Sequence, residues 1–217
     1  IMEKGLLITL PKYDDVTEYL AVFSEPIISE CKQKGIKFKV LAKENANKKN
    51  FESNIQALNY NLIVMNGHGA INCITGHKEE KIINVGDNEH LLCDRITYAR
   101  SCWSAFGLGK SCMKNNKTGC FIGYMIPFMF LMNITWATNP IKDNLARIFF
   151  DTSNLVPIGL IKGQTANQAN ENSKKSMLKL IKKTLLKGED NSQIIAETLW
   201  NNYSGQVLIG NPEATIN

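Results

Sequence analysis

Two apolar runs in this chain each stop at a reactive side chain, and together they restrict the fold more than any other feature. The first, Asn61-Leu62-Ile63-Val64-Met65-Asn66, ends in Gly67-His68-Gly69; the second, Ile96-Thr97-Tyr98-Ala99-Arg100, ends in Ser101-Cys102-Trp103-Ser104. A short, continuous apolar run closed by a turn of small residues reads as a strand buried on both faces, the kind that builds a parallel sheet. In such sheets ligands and chemistry gather beyond the carboxyl ends of the strands. If the two strands are neighbours, His68 and Cys102 emerge side by side at one edge, a thiol beside a base.

The remaining pattern suits that sheet. Residues 5–10 form a first apolar strand closed by Pro11, and residues 14–28 have helical spacing behind Asp14 and Asp15, with Pro26 expected to bend or split the helix. Residues 36–41 alternate with lysines, as at a sheet edge. A helix over 50–58 and a strand over 62–65 complete a β-α-β-α-β order, which implies a doubly wound parallel sheet. The rhythm then breaks. Residues 70–90 hold only short apolar pairs among turn residues and read as a hairpin excursion. Strands follow over 96–101 and 119–125, with a short helix between 105 and 116. Helices are predicted over 142–150, over 165–187 with Gly188 as its stop, and over 192–200. A late strand over 206–209 runs into Gly210-Asn211-Pro212.

The chain's 217 residues fit one domain, 1–217, and its 44% hydrophobic and 21% charged content is that of a globular protein. The richest apolar stretch, residues 120–136, is interrupted by Gly123, Pro127, Asn133 and Thr135, so no membrane span or membrane partner is expected. The first residues do not read as a signal peptide, and a start at Ile1 is compatible with a piece of a longer chain. Six irregularly spaced cysteines without a secretory signal point to reduced thiols and a cytoplasmic setting. The net charge of +5 is modest, and much of it lies on residues 174–187, where Lys174, Lys175, Lys179, Lys182, Lys183 and Lys187 alternate with Met and Leu. That pattern reads as the solvated face of a packed helix rather than a nucleic-acid or membrane patch. No glycine-rich phosphate loop is present, so no cofactor is expected. His90, Cys93, Cys102 and Cys112 lack the spacing of a zinc set, so no metal is expected either.

The two reactive residues carry the functional reading. Small residues on both sides of His68 let backbone and ligand approach closely, and Gly69 offers an unobstructed amide toward a developing oxyanion. Cys31, Cys120, Cys73, Cys93 and Cys112 read as buried structural thiols. Cys102 differs because it ends a strand, where a neighbouring histidine can activate it.

Asn66-Gly67-His68-Gly69, Arg100-Ser101-Cys102-Trp103-Ser104, Phe121-Ile122-Gly123-Tyr124 and Leu208-Ile209-Gly210-Asn211-Pro212, in this order, resemble the caspase-like clan of cysteine peptidases. The likeness is to its CHAT-type and gingipain/clostripain-like prokaryotic branches. It implies a three-layer α/β/α sandwich around a mainly parallel sheet of about six strands. It also implies Cys102 as nucleophile, His68 as the group that protonates the leaving amine, and an oxyanion hole from the Gly69 and Cys102 amides. Asn66 and Glu80 are candidates to orient His68, neither fixed by spacing. The chain departs from the family with Ser101 where Ala is common and with Asn211 where Asp is common. In this clan the residue two before the cysteine lines the pocket for the P1 side chain. Arg100 stands there, which implies an acidic P1 residue unless it turns away to pair with Asp94 or Glu79. The expected partner is a protein or peptide substrate, with a sensor or repeat module as regulator, in some relatives for defence. Two other classes stay open: a catalytically silent scaffold of the same fold, against which the presence of both His68 and Cys102 argues, and a nucleotide- or flavin-binding domain, against which the missing phosphate loop argues.

Overall fold

The computed structural model describes residues 2–216. In chain order the strands are β1 (Glu3–Leu10), β2 (Lys37–Ala42), β3 (Tyr60–Asn66), β4 (Gly69–Ala70), β5 (Cys73–Thr75), β6 (Lys81–Asn84), β7 (Ile96–Arg100), β8 (Cys120–Tyr124) and β9 (Gln206–Gly210). The helices are α1 (Asp15–Val22), α2 (Glu25–Lys34), α3 (Lys48–Leu58), α4 (Leu108–Cys112), α5 (Asn144–Ile161), α6 (Ala166–Lys187) and α7 (Ser192–Gly205). Six strands form one sheet in the order β2-β1-β3-β7-β8-β9. All neighbours are parallel except β9, which runs against β8. β4, β5 and β6 make a small antiparallel sheet, the expected hairpin excursion.

Alternation along the strands sorts the core into two layers. Leu62, Val64, Ile96 and Tyr98 point to one face, against Ile27 and Ile28 of α2 and Val156 and Leu160 of α5. Ile63, Met65 and Ala99 point to the other, against Phe51 and Ile55 of α3, Leu108 of α4, and Ile74 and Ile83 of the hairpin. Every residue of β3, β7 and β8 is buried, which is why these strands read as unbroken apolar runs. β2 lies at the edge and exposes Lys37 and Lys39, as its lysine alternation implied. The result is the three-layer α/β/α sandwich with a mainly parallel six-stranded sheet. Among the described residues all six cysteines are unpaired, and no helix is long and apolar enough to cross a membrane.

Three local features refine the sequence reading. Pro26 splits the first helical segment rather than bending it: α1 closes at Phe23, and α2 begins at Glu25 with Pro26 in its first turn, where a missing N–H costs nothing. The helix predicted over 142–150 continues to Ile161, because Val156, Leu160 and Ile161 prolong its buried face past Pro157. The Gly210-Asn211-Pro212 turn ties β9 back to the sheet. Asn211 donates its backbone N–H to Gly119 O (2.9 Å) and its Nδ2 to Thr118 O (3.2 Å), work that uses an amide rather than a carboxylate.

Between β8 and α5, residues 125–143 form a strap across the carboxyl end of the sheet. Its Phe128, Phe130 and Met132 pack against Tyr19, Phe23 and Phe150. Asp143 anchors it. One carboxylate oxygen accepts the Leu145 and Ala146 amides at the start of α5 (3.0 and 3.1 Å). The other accepts Tyr19 Oη (2.9 Å) and the Asn133 amide (2.7 Å). Burial, reinforced by this carboxylate, pushes the Tyr19 phenol up to about 12. Asp143→Ala removes a helix cap and orphans a buried phenol and amide, so it should lower the unfolding free energy by about 2–4 kcal/mol, measured by urea denaturation.

Candidate active site

The register of β3 against β7 decides how the two reactive residues meet. Asn66 of β3 is paired with Arg100 of β7, and His68 and Cys102 each follow two residues later, so both leave the sheet at the same level from adjacent parallel strands. Between them the chains touch. A Cβ placed on Gly69 would meet Ser101 Oγ and lie 2.7 Å from Cys102 O and 3.1 Å from Cys102 N. No side chain fits there without moving the backbone that carries the thiol. Gly67 is constrained independently, by φ +150° and by the Thr75 carbonyl packed against its α-carbon. The flanking glycines of Gly-His-Gly thus have separate steric reasons.

His68 is oriented by a residue that the sequence reading passed over. Its Nε2 lies 2.7 Å from Asp14 Oδ2. Asp14 follows β1 and caps α1, accepting the Thr17 amide at 2.8 Å and the Thr17 hydroxyl at 2.7 Å. Tyr13 sets its ring edge-on to His68 at a centroid distance of 6.2 Å. Partial burial pushes the Asp14 carboxyl up, but hydrogen bonds from Thr17 and His68 outweigh it and hold the group below the ordinary aspartate value. The two earlier candidates do other work. Asn66 ties β3 to Thr9 of β1, and Glu80 accepts the Lys48 amide at the start of α3. Asp14 reads in the sequence as the acidic start of a helix. The signal that finds it is position: β1 is the neighbour of β3, so its carboxyl end opens onto the same edge.

Cys102 is half-buried, and its Sγ faces Phe128 O of the strap at 4.0 Å. Burial pushes its thiol above the ordinary cysteine value, against smaller backbone effects from Phe128 and Cys102 itself that lower it. The next residue, Trp103, has φ +54°, the left-handed conformation, and leaves its indole 43% exposed.

Arg100 requires a correction. It does share a side of the sheet with Asn66, but helices cover that side and the guanidinium is 1% exposed. Nε donates to Asn66 Oδ1 (2.8 Å), Nη1 to Asn154 Oδ1 (2.8 Å) and Ser153 Oγ (3.3 Å), and Nη2 to Ser24 Oγ (2.5 Å) and Leu20 O (3.5 Å). Phe150 lies under it at 5.4 Å. With its donors turned inward, Arg100 neither lines an open pocket nor pairs with Asp94, which closes the 117–118 turn instead. The inference of an acidic P1 residue is therefore withdrawn.

No family model and no curated protein matches this sequence. Solved structures do. The crystal structure of the Arg-specific cysteine proteinase gingipain R (RGPB) superposes with a TM-score of 0.62 over 98% of this chain and 47% of the other, at 13% identity. The complex of Porphyromonas gingivalis RgpB pro- and mature domains gives 0.63 over 97% and 48%, at 11% identity. The chain has the caspase-like fold of these proteinases. It spans about half the length of the solved chains it matches, and at such identities the likeness concerns the fold alone. Within this caspase-like fold, Asp14, His68 and Cys102 lie on three loops at one sheet edge, after β1, β3 and β7.

Two substitutions separate charge from packing here. Asp14→Asn keeps a good helix cap but loses the anion. Because the folded pKa is depressed, the carboxylate's contribution is present above the unfolded value near 4 and is lost as pH falls through the lower folded value. The stability gap between wild type and Asp14→Asn should be under about 1 kcal/mol at pH 7, since the pair is over one-third exposed, and close as the pH falls below about 4 in urea titrations. Arg100→Met orphans several buried acceptors and should cost about 2–4 kcal/mol by the same measurement, and Arg100→Lys should recover only part of it.

Proposed function

We propose that this domain is a cysteine endopeptidase in which Cys102 is the nucleophile, His68 the proton carrier and Asp14 the residue that orients His68. The observation that carries this reading is the convergence of a thiol, an imidazole and a carboxylate from three separate loops on one sheet edge, with Gly69 packed on the Cys102 backbone. A packed core has no use for such a cluster at its solvent-facing rim. The fold shared with cysteine proteinases supports the same class.

Asp14 occupies Nε2 of His68, which leaves Nδ1 for proton transfer. Cys102 rests as a neutral thiol, so His68 accepts its proton as the sulfur attacks the peptide carbonyl. The new C–S bond converts the carbonyl oxygen to an oxyanion, for which the Gly69 and Cys102 amides are the proposed donors. His68 then gives its proton to the departing amine as the C–N bond breaks, leaving a thioester. Water attacks the thioester, His68 takes the water proton, and the thiol leaves with it. Asp14 stabilises the imidazolium formed at both stages. The branch-level assignment to CHAT-type peptidases, a cytoplasmic setting, and control by a sensor or repeat module, in prokaryotic defence, extend this reading from the sequence motifs. A pro-domain bound to one neighbour of the same fold makes a protein regulator reasonable.

Cleavage of a mixed peptide pool, read by mass spectrometry, tests the proposal. Wild type should cut, and Cys102→Ala and His68→Ala should lose at least about 100-fold. Asp14→Asn should lose about tenfold or more with its fold intact, because only the orientation and the charge at His68 change. Alkylation of the resting thiol by iodoacetamide should rise with pH through a midpoint above that of an ordinary cysteine. Cuts that persist in Cys102→Ala would refute the assignment.

A further inference from the structure

Beside the candidate site lies a cleft of about 640 Å³ bounded by Ile71, Cys73, Lys81, Asn84, Val85 and Trp103. We propose that it is a subsite for one large apolar side chain of a peptide substrate next to the scissile bond. The proposal rests on the peptidase reading and specifies what that peptidase selects.

Position comes first. The cleft's two near walls continue the two site loops: Ile71 lies two residues beyond Gly69, and Trp103 directly follows Cys102. Through these two loops the cleft adjoins the thiol, so a peptide whose carbonyl sat at the Cys102 sulfur would bring a neighbouring residue toward this opening. The strap with Phe128 stands against Cys102 as well and encloses it from its own side. The volume is that of a pocket for a small ligand, roughly 300–1,000 Å³, and accommodates an aromatic side chain with the backbone that carries it.

The chemistry of the walls selects the ligand. Ile71, Val85, Cys73 and the Trp103 indole supply apolar surface, Asn72 and Asn84 supply polar edges, and Lys81 is exposed at the start of β6. Ile71 is 48% exposed and Phe106, three residues beyond Trp103, is 47% exposed. Large apolar groups left in water beside a nucleophile are a surface that substrate would cover.

The backbone supplies an independent observation. A left-handed φ at a bulky residue costs about 1–2 kcal/mol, which a protein normally avoids by placing Gly there. Trp103 bears that cost without burying its ring in return, so core packing does not account for it. The turn is held by Phe106 N donating to Trp103 O (2.9 Å) and Trp103 N donating to Ile126 O (3.4 Å). It leaves the indole on the wall of the cleft rather than in the core. Strain at an exposed residue adjoining the nucleophile is a mark of function.

The test compares the full chain with Trp103→Gly, which relieves the left-handed strain while deleting the wall, and with Trp103→Phe, which keeps an aromatic wall. Matched peptides carry Phe or Ala at each position flanking the cut found in the pool. Wild type should prefer Phe over Ala in kcat/KM at one adjoining position, by tenfold or more. Trp103→Gly should lose that preference mainly through KM while thermal unfolding shows a folded protein, and Trp103→Phe should keep most of it. No preference for a large apolar residue in wild type, a preference for Asp or Glu there, or a preference that survives in Trp103→Gly would overturn the subsite. If wild type cuts nothing, the peptidase reading fails separately, and binding decides the subsite. The Phe peptide should then give a saturable change in tryptophan emission of Cys102→Ala that is absent when Trp103 is also changed to Phe, leaving Trp136 and Trp200. No saturable change with the Phe peptide would overturn it.

Discussion

The arrangement at the sheet edge depends on one buried cation. Arg100 has no carboxylate partner among the groups it touches; neutral oxygens from four segments satisfy it, and the face of Phe150 lies below it. A buried charge is tolerated only where several dipoles converge on it. Here the dipoles come from Asn66 of β3, Leu20 of α1, Ser24 at the α1–α2 junction, and Ser153 and Asn154 of α5. Asn66 is two residues from His68, Arg100 is two residues from Cys102, and α1 is the helix that Asp14 caps. The guanidinium therefore ties together, from beneath, the three loops that carry the site. Asn154 Nδ2, which also donates to Phe23 O at 2.7 Å, closes the same cage at the α1 end. The interior polar network thus supports from below the same loops that the His68–Asp14 hydrogen bond and the close approach of Gly69 to Cys102 join at the rim.

That interior placement also explains which parts of the molecule were legible in the sequence. β3, β7 and β8 are buried on both faces, and a strand with no wet side writes itself as an apolar run; the glycines and the cysteine at their ends then stand out against it. The hairpin from Gly69 to Asn84 and the edge strand β2 were legible for the complementary reason, through turn residues and alternating lysines. The register that aligns His68 with Cys102 was inferred from the strand ends, and the pairing of Asn66 with Arg100 agrees with it. What failed was any statement about which way a side chain looks once its face is known. Alternation puts Arg100 on one side of the sheet correctly, yet whether that side is an open pocket or a helix layer depends on α1 and α5, whose Leu20 and Asn154 reach it from 80 and 54 residues away in sequence. Asp14 was hidden by having two roles. As a helix cap it has a sufficient local explanation, so nothing in the local pattern asks for a second partner 54 residues away.

The edge itself has two unlike walls, and this asymmetry bears on the role proposed for the thiol. On one side the strap, anchored by Asp143 and by Asn202, which accepts the Met129 amide at 2.8 Å and donates to Met129 O at 2.6 Å, lays the Phe128 carbonyl toward Cys102. Partial burial favours a neutral sulfur over a thiolate and outweighs the smaller, opposite effect of the Phe128 backbone, in keeping with the raised thiol pKa. On the other side the chain leaves a broad opening with apolar walls and a strained aromatic residue. A nucleophile that is neutral at rest is protected from adventitious alkylation and oxidation, since the thiolate is the reactive form. In the proposed peptidase, activation of such a thiol would fall to the moment when a substrate carbonyl arrives and His68, held by Asp14, takes the proton. Binding energy gained in the apolar opening can serve that step only if it also fixes the carbonyl over the sulfur. Trp103 joins the two, because its backbone follows Cys102 directly while its indole lines the opening.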